Sequence, residues 1–253
     1  MAKRQAKFTP QDVATDGRLV DHSPDLWDDE LGAVPRGLLT SAVRCFASNG
    51  FHATTTRDIC VGMGLSPAAL YVHFPSKELV LFEIIRTGHE RVLAYIQDPA
   101  IPIAETAVER LRTIIWRYTA WHARHHVVAR VCQYELAGLT PEHYDRIIEL
   151  RHQTNEFFRA AVAAGVADGS FAEVAVKRVT RAIFSLCIDL VRWYRLSGPD
   201  SPEQLGDFYA DLGLKMVAHN TSTPRGGAAH RTASPPRRRG TRPPAHAIVA
   251  PGE

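Results

Sequence analysis

Several features that would place a chain in a class are missing from this one. It has no run of about 18 apolar residues, so no segment reads as a membrane span. The opening residues MAKRQAKF lead into polar sequence without an apolar stretch, which is not the pattern of a secretory leader, and a cytoplasmic protein is expected. Cysteine is scarce. Cys45, Cys60, Cys132 and Cys187 lie far apart with no CxxC pair, so zinc and dithiol redox sites are unsupported and buried free thiols are expected. There is no convincing strand alternation and no Asn-Gly hairpin turn. The catalytic signatures are missing as well: no Gly-rich phosphate loop, no HExxH, no GxSxG and no repeated ExxH pair. Glu135 and Glu149 stand singly on amphipathic patterns and read as surface or core-edge groups. An all-α enzyme is therefore the weaker reading, and no cofactor or metal is expected.

What is present suits a packed protein. The 253 residues are 45% hydrophobic and 23% charged, close to globular averages. The net charge of +3 is uneven. Residues 220–253 carry six arginines against Glu253, so this stretch is +5 and the rest of the chain about −2. The stretch is built from Pro, Gly, Arg and Ala without aromatics, a composition that cannot bury enough apolar surface to order itself, and it reads as a disordered tail. Its PPRRRGTRPP run could add non-specific phosphate affinity, which keeps an architectural nucleic-acid-binding protein as a second alternative. Residues 1–32 read as a flexible arm, with Leu26, Trp27 and Leu31 as docking points.

Between these ends the periodicity is helical throughout. Four helices are expected in the first block, over 34–48, 55–63, 66–73 and 77–97, and five in the second, over 103–125, 127–138, 141–166, 173–196 and 202–219. Thr55, Ser66, Thr140 and Ser201 stand where N-caps belong; Pro67, Pro141 and Pro202 follow three of them at the first helical position. Asn49-Gly50 stops the first helix, and Pro99 and Pro102 separate the blocks. The expected layout is all-α, with residues 33–98 and 99–219 as two domains.

Residues 55–77, TTRDICVGMGLSPAALYVHFPSK, hold two short helices joined by a Gly-containing turn, the pattern of a helix-turn-helix whose second helix enters the DNA major groove. Ile59 and Leu65 can glue the helices together, and Gly64 permits the turn. Ser66, Pro67, Ala68 and Ala69 make a small face able to approach base edges. Thr55, Thr56, Arg57, Tyr71, His73 and Lys77 form a polar rim for phosphates, and Lys77 with the helix start after Ser76 reads as an anion site. Ala42, Phe46, Gly50-Phe51, Thr54-Thr55-Thr56, Ile59, Gly64-Leu65-Ser66, Leu70 to Phe74 and Ser76-Lys77-Glu78-Leu79 together resemble the DNA-binding domain of the TetR/AcrR family of bacterial transcriptional regulators. A basic residue common in the family just ahead of the small residues is absent, so guanine readout by arginine is not expected from this helix.

The resemblance implies a ligand-responsive regulator, usually a repressor, that binds palindromic double-stranded operator DNA as a homodimer through segments 173–196 and 202–219. The second block would then hold a small-molecule effector. Arg130 to Leu136, Trp193-Tyr194-Arg195 and Ser201-Pro202-Glu203 resemble a subgroup that represses lipid or sterol catabolism and responds to acyl-CoA thioesters. On that basis Trp116, Tyr134 and Trp193 are the expected effector contacts, and Arg124, Arg130, Arg151, Arg181, Arg192 and Arg195 are candidates for an anionic end. His122 and His126 have a spacing able to hold a metal, but with no nearby third ligand the plainer reading of His122, His125 and His126 is a solvated or interface-facing cluster.

Overall fold

The computed structural model describes residues 23–28, 30–98 and 106–219; the expected Arg-rich tail, most of the N-terminal arm and the proline-containing link at 99–105 lie outside them. Among the described residues there are nine α-helices and no strand: α1 (Ala33–Asn49), α2 (Thr56–Val61), α3 (Pro67–His73), α4 (Lys77–Gln97), α5 (Ala107–Arg124), α6 (His126–Tyr134), α7 (Pro141–Ala167), α8 (Val176–Asp189) and α9 (Pro202–Val217).

Local chemistry sets most boundaries. Thr55–Asp58, Thr106–Glu109 and Ser201–Gln204 form reciprocal capping boxes, so α2, α5 and α9 each start with two orphan backbone donors satisfied. Gly50, at φ 83°, ends α1 in a conformation that a side chain would strain. Two boundaries depart from the periodicity. The expected helix over 173–196 stops at Asp189 and tightens into a 3-10 turn at Leu190–Arg192. The cause is tertiary: the turn buries Leu190 and Val191 against α6, with Tyr194 buried just beyond. The expected 127–138 helix likewise breaks after Tyr134 into a 3-10 turn at Leu136–Gly138.

One core runs through both blocks because α4 is shared; it packs on α1 on one side and on α5, α6 and α7 on the other. On α1, Leu38, Leu39, Ala42, Val43 and Phe46 are all buried, as the spacing predicts. Leu26 and Trp27 of the arm also bury; the Trp27 indole donates to Thr40 Oγ1 at 2.7 Å, and Arg91 donates to the Leu26 carbonyl at 3.2 Å. The most extensive helix pair is α5 with α9. Two glycines let α9 lie close: a Cβ on Gly206 would stand 2.9 Å from the Trp116 ring and 3.0 Å from its carbonyl oxygen, and one on Gly213 would stand 2.5 Å from Ile115 Cδ1. Arg112 pairs with Asp207 and Asp211 along the rim of this seam.

Gly206→Val is expected to push α9 off α5, because the Trp116 carbonyl cannot swing aside. Overpacking of this kind destabilises by about 1–3 kcal/mol, read as a lower urea midpoint.

Candidate functional site

α2 and α3 form the helix-turn-helix. Gly64, at φ 67°, turns the chain, and the Leu65 amide donates to the Cys60 carbonyl at 3.0 Å. Ile59 is buried and Leu65 half-buried between the helices, as expected of the glue residues. α3 is anchored through Leu70, the one residue it buries, and Phe74 is buried just beyond it. The small and aromatic residues of α3 stay outside: Ser66, Ala68, Tyr71 and His73 are exposed, and Pro67 and Ala69 half-buried. Ser66 makes no side-chain cap bond, so its hydroxyl is not committed to the start of its own helix. Arg57 is exposed and Thr56 half-buried. The Thr55 hydroxyl is taken up by Asp58, donating to it at 2.7 Å, and the Thr55 amide and hydroxyl together hold that carboxyl below the usual aspartate range.

Lys77 is placed differently from the phosphate contact expected of it. Its ammonium donates to the carbonyls of Phe51 at 2.8 Å and Thr54 at 2.6 Å and lies 4.3 Å from the centre of the Phe51 ring. Ser76 Oγ accepts from the Leu79 amide, so the expected anion site at this helix start is already filled from within. Lys77 closes the α1–α2 turn. The other side of that turn is held from the second block. Glu135, just past α6, is buried and accepts from the Phe51 amide at 2.9 Å, and Gly138 approaches so closely that a Cβ there would meet the Phe51 ring at 2.5 Å. Nearby, Glu78 Oε1 accepts from the Thr140 amide at 3.0 Å and from His143 Nδ1 at 2.8 Å, while the His143 ring stacks on Phe82 at 3.8 Å. Glu78 and Glu135 both lie in stretches that carry the resemblance, but nothing local points to their partners, which lie 62 or more and 84 residues away.

Comparison with known proteins settles what this architecture is. Residues 38–84 match the family described as bacterial regulatory proteins, tetR family, and residues 104–217 match a tetracyclin repressor-like C-terminal domain. The HTH-type transcriptional repressor KstR2 of Rhodococcus jostii is 30% identical over 204 residues, 78% of this chain and 100% of that protein. The chain belongs to the TetR family. KstR2 of Mycolicibacterium smegmatis is 33% identical over 188 residues, covering 72% of this chain and 90% of the relative. A TetR-family regulatory protein from Rhodococcus RHA1 has the same fold, with TM-score 0.68 at 35% identity over 74% of this chain and 98% of that one. The ketosteroid transcriptional regulator KstR2 of Mycobacterium tuberculosis superposes with TM-score 0.69 at 28% identity, over 75% and 97% of the two chains. This TetR-family chain is a DNA-binding transcriptional regulator and not an enzyme.

Between α4 and the helices of the second block lies a polar point inside an apolar bundle. His89, Tyr118, His122, Cys132, Gln133, Arg151 and Phe184 surround a cavity of about 20 Å³, space for no more than one water. Arg151 donates to Gln133 Oε1 at 2.8 Å. These two residues, with Phe184 and Ile188, also line a surface groove of about 290 Å³ beside Tyr134, so they divide the groove from the interior. Trp116, Tyr134 and Trp193 do not converge here. Trp116 faces α9, because it sits two residues from the inward-facing Tyr118 and so on nearly the opposite side of α5. Trp193, carried past the 3-10 turn, lines a separate cleft of about 550 Å³ with Tyr194, Arg195 and Asp200. Of the six candidate arginines, Arg151 and Arg195 line such spaces; Arg124 pairs with Glu203, Arg192 with Asp189, Arg130 is buried and Arg181 is exposed on α8.

The histidines are buried rather than solvated. His122 Nδ1 donates to the Tyr118 carbonyl at 2.7 Å and His126 Nδ1 to the Ala123 carbonyl at 3.2 Å. Burial pushes His122 down to about 4 and His89 to about 3, with Arg151 also lowering His89 and His125 lowering His122. Burial pushes the Cys132 and Cys187 thiols up to about 12, so they are inert.

Two outcomes follow. Glu135→Ala strands the buried Phe51 amide and is expected to lower stability by about 1–3 kcal/mol, whereas Glu135→Gln keeps an acceptor and loses less; urea unfolding and Phe51 amide exchange read the difference. Both His89 and His122 are neutral in the fold and protonate when unfolded near 6.5, so their contribution is full above pH 6.5 and drains away as pH falls toward 4. His122→Gln should therefore lose roughly 2.5 kcal/mol less than the native chain between pH 7 and 4.5, measured as the shift in urea midpoint.

Proposed function

We propose that the chain is a repressor that binds a palindromic operator as a homodimer and releases it when a lipid-derived effector, an acyl-CoA thioester foremost, enters the second block. The DNA surface is Thr55, Thr56, Arg57, Ser66, Pro67, Ala68, Ala69, Tyr71 and His73, with Lys77 supporting it through the α1–α2 turn. One α3 of seven residues spans only a few base pairs, so two half-sites are needed. α8 and α9 supply the dimer face; Leu186 and Phe208 are exposed on them at 39% and 63%. Residues 33–98 act as the DNA-binding domain and 99–219 as the effector domain.

The observation that carries this reading is the position of α6. Gln133 holds Arg151 at the cavity wall, and Glu135, two residues later, holds the Phe51 amide beneath the helix-turn-helix. A small-molecule site usually needs about 300–1,000 Å³, far more than the closed interior offers. A ligand therefore has to part Arg151 from Gln133 and displace Phe184, and the end of α6 moves with it. The effector enters by the Tyr134 groove, its anionic end meeting Arg151, and Trp193 with Arg195 offers a second contact surface in the separate cleft. Such a ligand binds the opened state better than the closed one, which is the condition for releasing DNA. The relation to a protein described as a ketosteroid transcriptional regulator supports a lipid-derived ligand.

The test is operator release. Light scattering should give a dimer, and a labelled operator duplex should be freed by a CoA thioester such as palmitoyl-CoA but not by CoA alone. Arg151→Lys, which keeps a donor for Gln133 but loses the forked guanidinium, and Trp193→Ala should each raise the thioester concentration needed severalfold and leave operator affinity within twofold. A monomer that still binds the palindrome, or release by a free small aromatic and by no thioester, overturns the proposal.

A further inference from the structure

We infer that this protein reads its operator through thymine methyl groups, with Val72 as the specificity-determining residue and Ala68 beside it. The inference rests on α3 being the groove-facing helix, as proposed above.

α3 has no Lys, Arg, Asn or Gln. Those side chains make the bidentate contacts that pick out guanine and adenine in the major groove, so that form of readout is closed to it. What it offers instead is apolar. Val72 is 78% exposed, the highest value for any large hydrophobic side chain among the described residues. Ala68 lies one turn before it, so the two share a face. Leu70 is the buried anchor, and residues two away from it in either direction project to the opposite side of the helix. The face turned away from the core is thus a methyl surface, flanked by the exposed Tyr71 and His73 and the uncapped Ser66.

The major groove constrains what can lie against that surface. Base edges there are hydrogen-bond donors and acceptors, with one apolar feature, the thymine C5-methyl. Covering a donor or acceptor with valine leaves it without a partner, which is unfavourable; covering a methyl removes apolar surface from water. The surface is continuous with the helix-turn-helix of a DNA-binding family, so duplex DNA is its occupant. Each half-site should carry thymine, on either strand, under Ala68 and Val72.

The experiment uses the full-length chain. A half-site pair is selected from a random duplex pool, and each thymine in it is then replaced singly by deoxyuridine, which deletes only the methyl group. At fixed salt, one or two positions per half-site should lose about fourfold in affinity, the value of one buried methyl group. Val72→Ala should bind the thymine operator about fourfold more weakly and become indifferent to deoxyuridine at the position Val72 covers. Val72 is exposed, so the variant folds, and an unchanged urea midpoint documents it. If every deoxyuridine duplex binds like its parent, or Val72→Ala keeps the full deoxyuridine penalty, methyl reading is wrong while operator binding stands. If the pool yields no enriched sequence, the groove-facing role of α3 fails and takes this inference with it.

Discussion

The backbone of Phe51 is the point on which the two blocks depend. Its amide is held by Glu135 and its carbonyl by Lys77, and its ring lies against Phe46, the Lys77 ammonium and Gly138. These groups come from three parts of the chain: α1, the first residue of α4, and the segment just past α6. Gly50, just before it, needs a positive φ to leave α1, and the Thr54 hydroxyl donates back to the Gly50 carbonyl at 2.8 Å. The turn is therefore fixed from within and clamped from outside. It also sets where α2 begins, and through the Gly64 turn where α3 lies. A buried amide and a buried carboxylate are each costly when unpaired, so the clamp closes completely or is disrupted at a cost of kilocalories. That all-or-none character suits a link between two sites better than a gradual one would.

The contact across the blocks pairs backbone with side chain in both directions. The Phe51 amide of the first block is held by the Glu135 carboxylate of the second, and the Thr140 amide of the second by the Glu78 carboxylate of the first, with His143 on the same oxygen. Neither block can shift at this seam without breaking a bond to the other's backbone, and the end of α6 that carries Glu135 also carries Gln133 at the cavity wall. The interior is closed around His89, His122 and Arg151, with both imidazoles held neutral by burial. A polar cluster kept nearly dry in an apolar bundle strengthens whatever charged partner reaches it, because little water remains to compete.

Much of the fold is legible from the sequence because it is set locally. Thr55 with Asp58 and Ser201 with Gln204 are caps written within four residues, and Leu38, Leu39, Ala42, Val43 and Phe46 announce their common face by spacing alone. The helix-turn-helix is legible for the same reason: its glycine, its glue residues and its small face fall inside one short stretch. What could not be read is set by distant partners. Nothing near Glu135 marks it as the acceptor for an amide 84 residues earlier, and nothing near Lys77 says that its charge is spent on two carbonyls. The separation of Trp116 from Trp193 depends on where α8 ends, and α8 ends where α6 offers Leu190 and Val191 a place to bury. The histidines after Trp121 look solvated because His is often so; only the packing of α5 and α6 shows otherwise.

The recognition helix itself is the least self-sufficient element. At seven residues it is well short of the length at which an isolated helix is stable in water, and it buries one side chain. Its geometry is borrowed: from Leu70 in the core, from the α2 turn through Leu65, and from α4, whose first residue, Lys77, clamps Phe51. A short helix of this kind adds little rigidity of its own, so its orientation follows the frame that holds it. If α3 reads the operator as inferred above, a surface with few polar groups can still be selective, because a few methyl and hydroxyl groups are held at fixed positions. The frame that fixes those positions is the one that Glu135 and Gly138 enter from the second block. On the proposed reading, operator affinity and effector response meet at the same turn, and a change there acts on both.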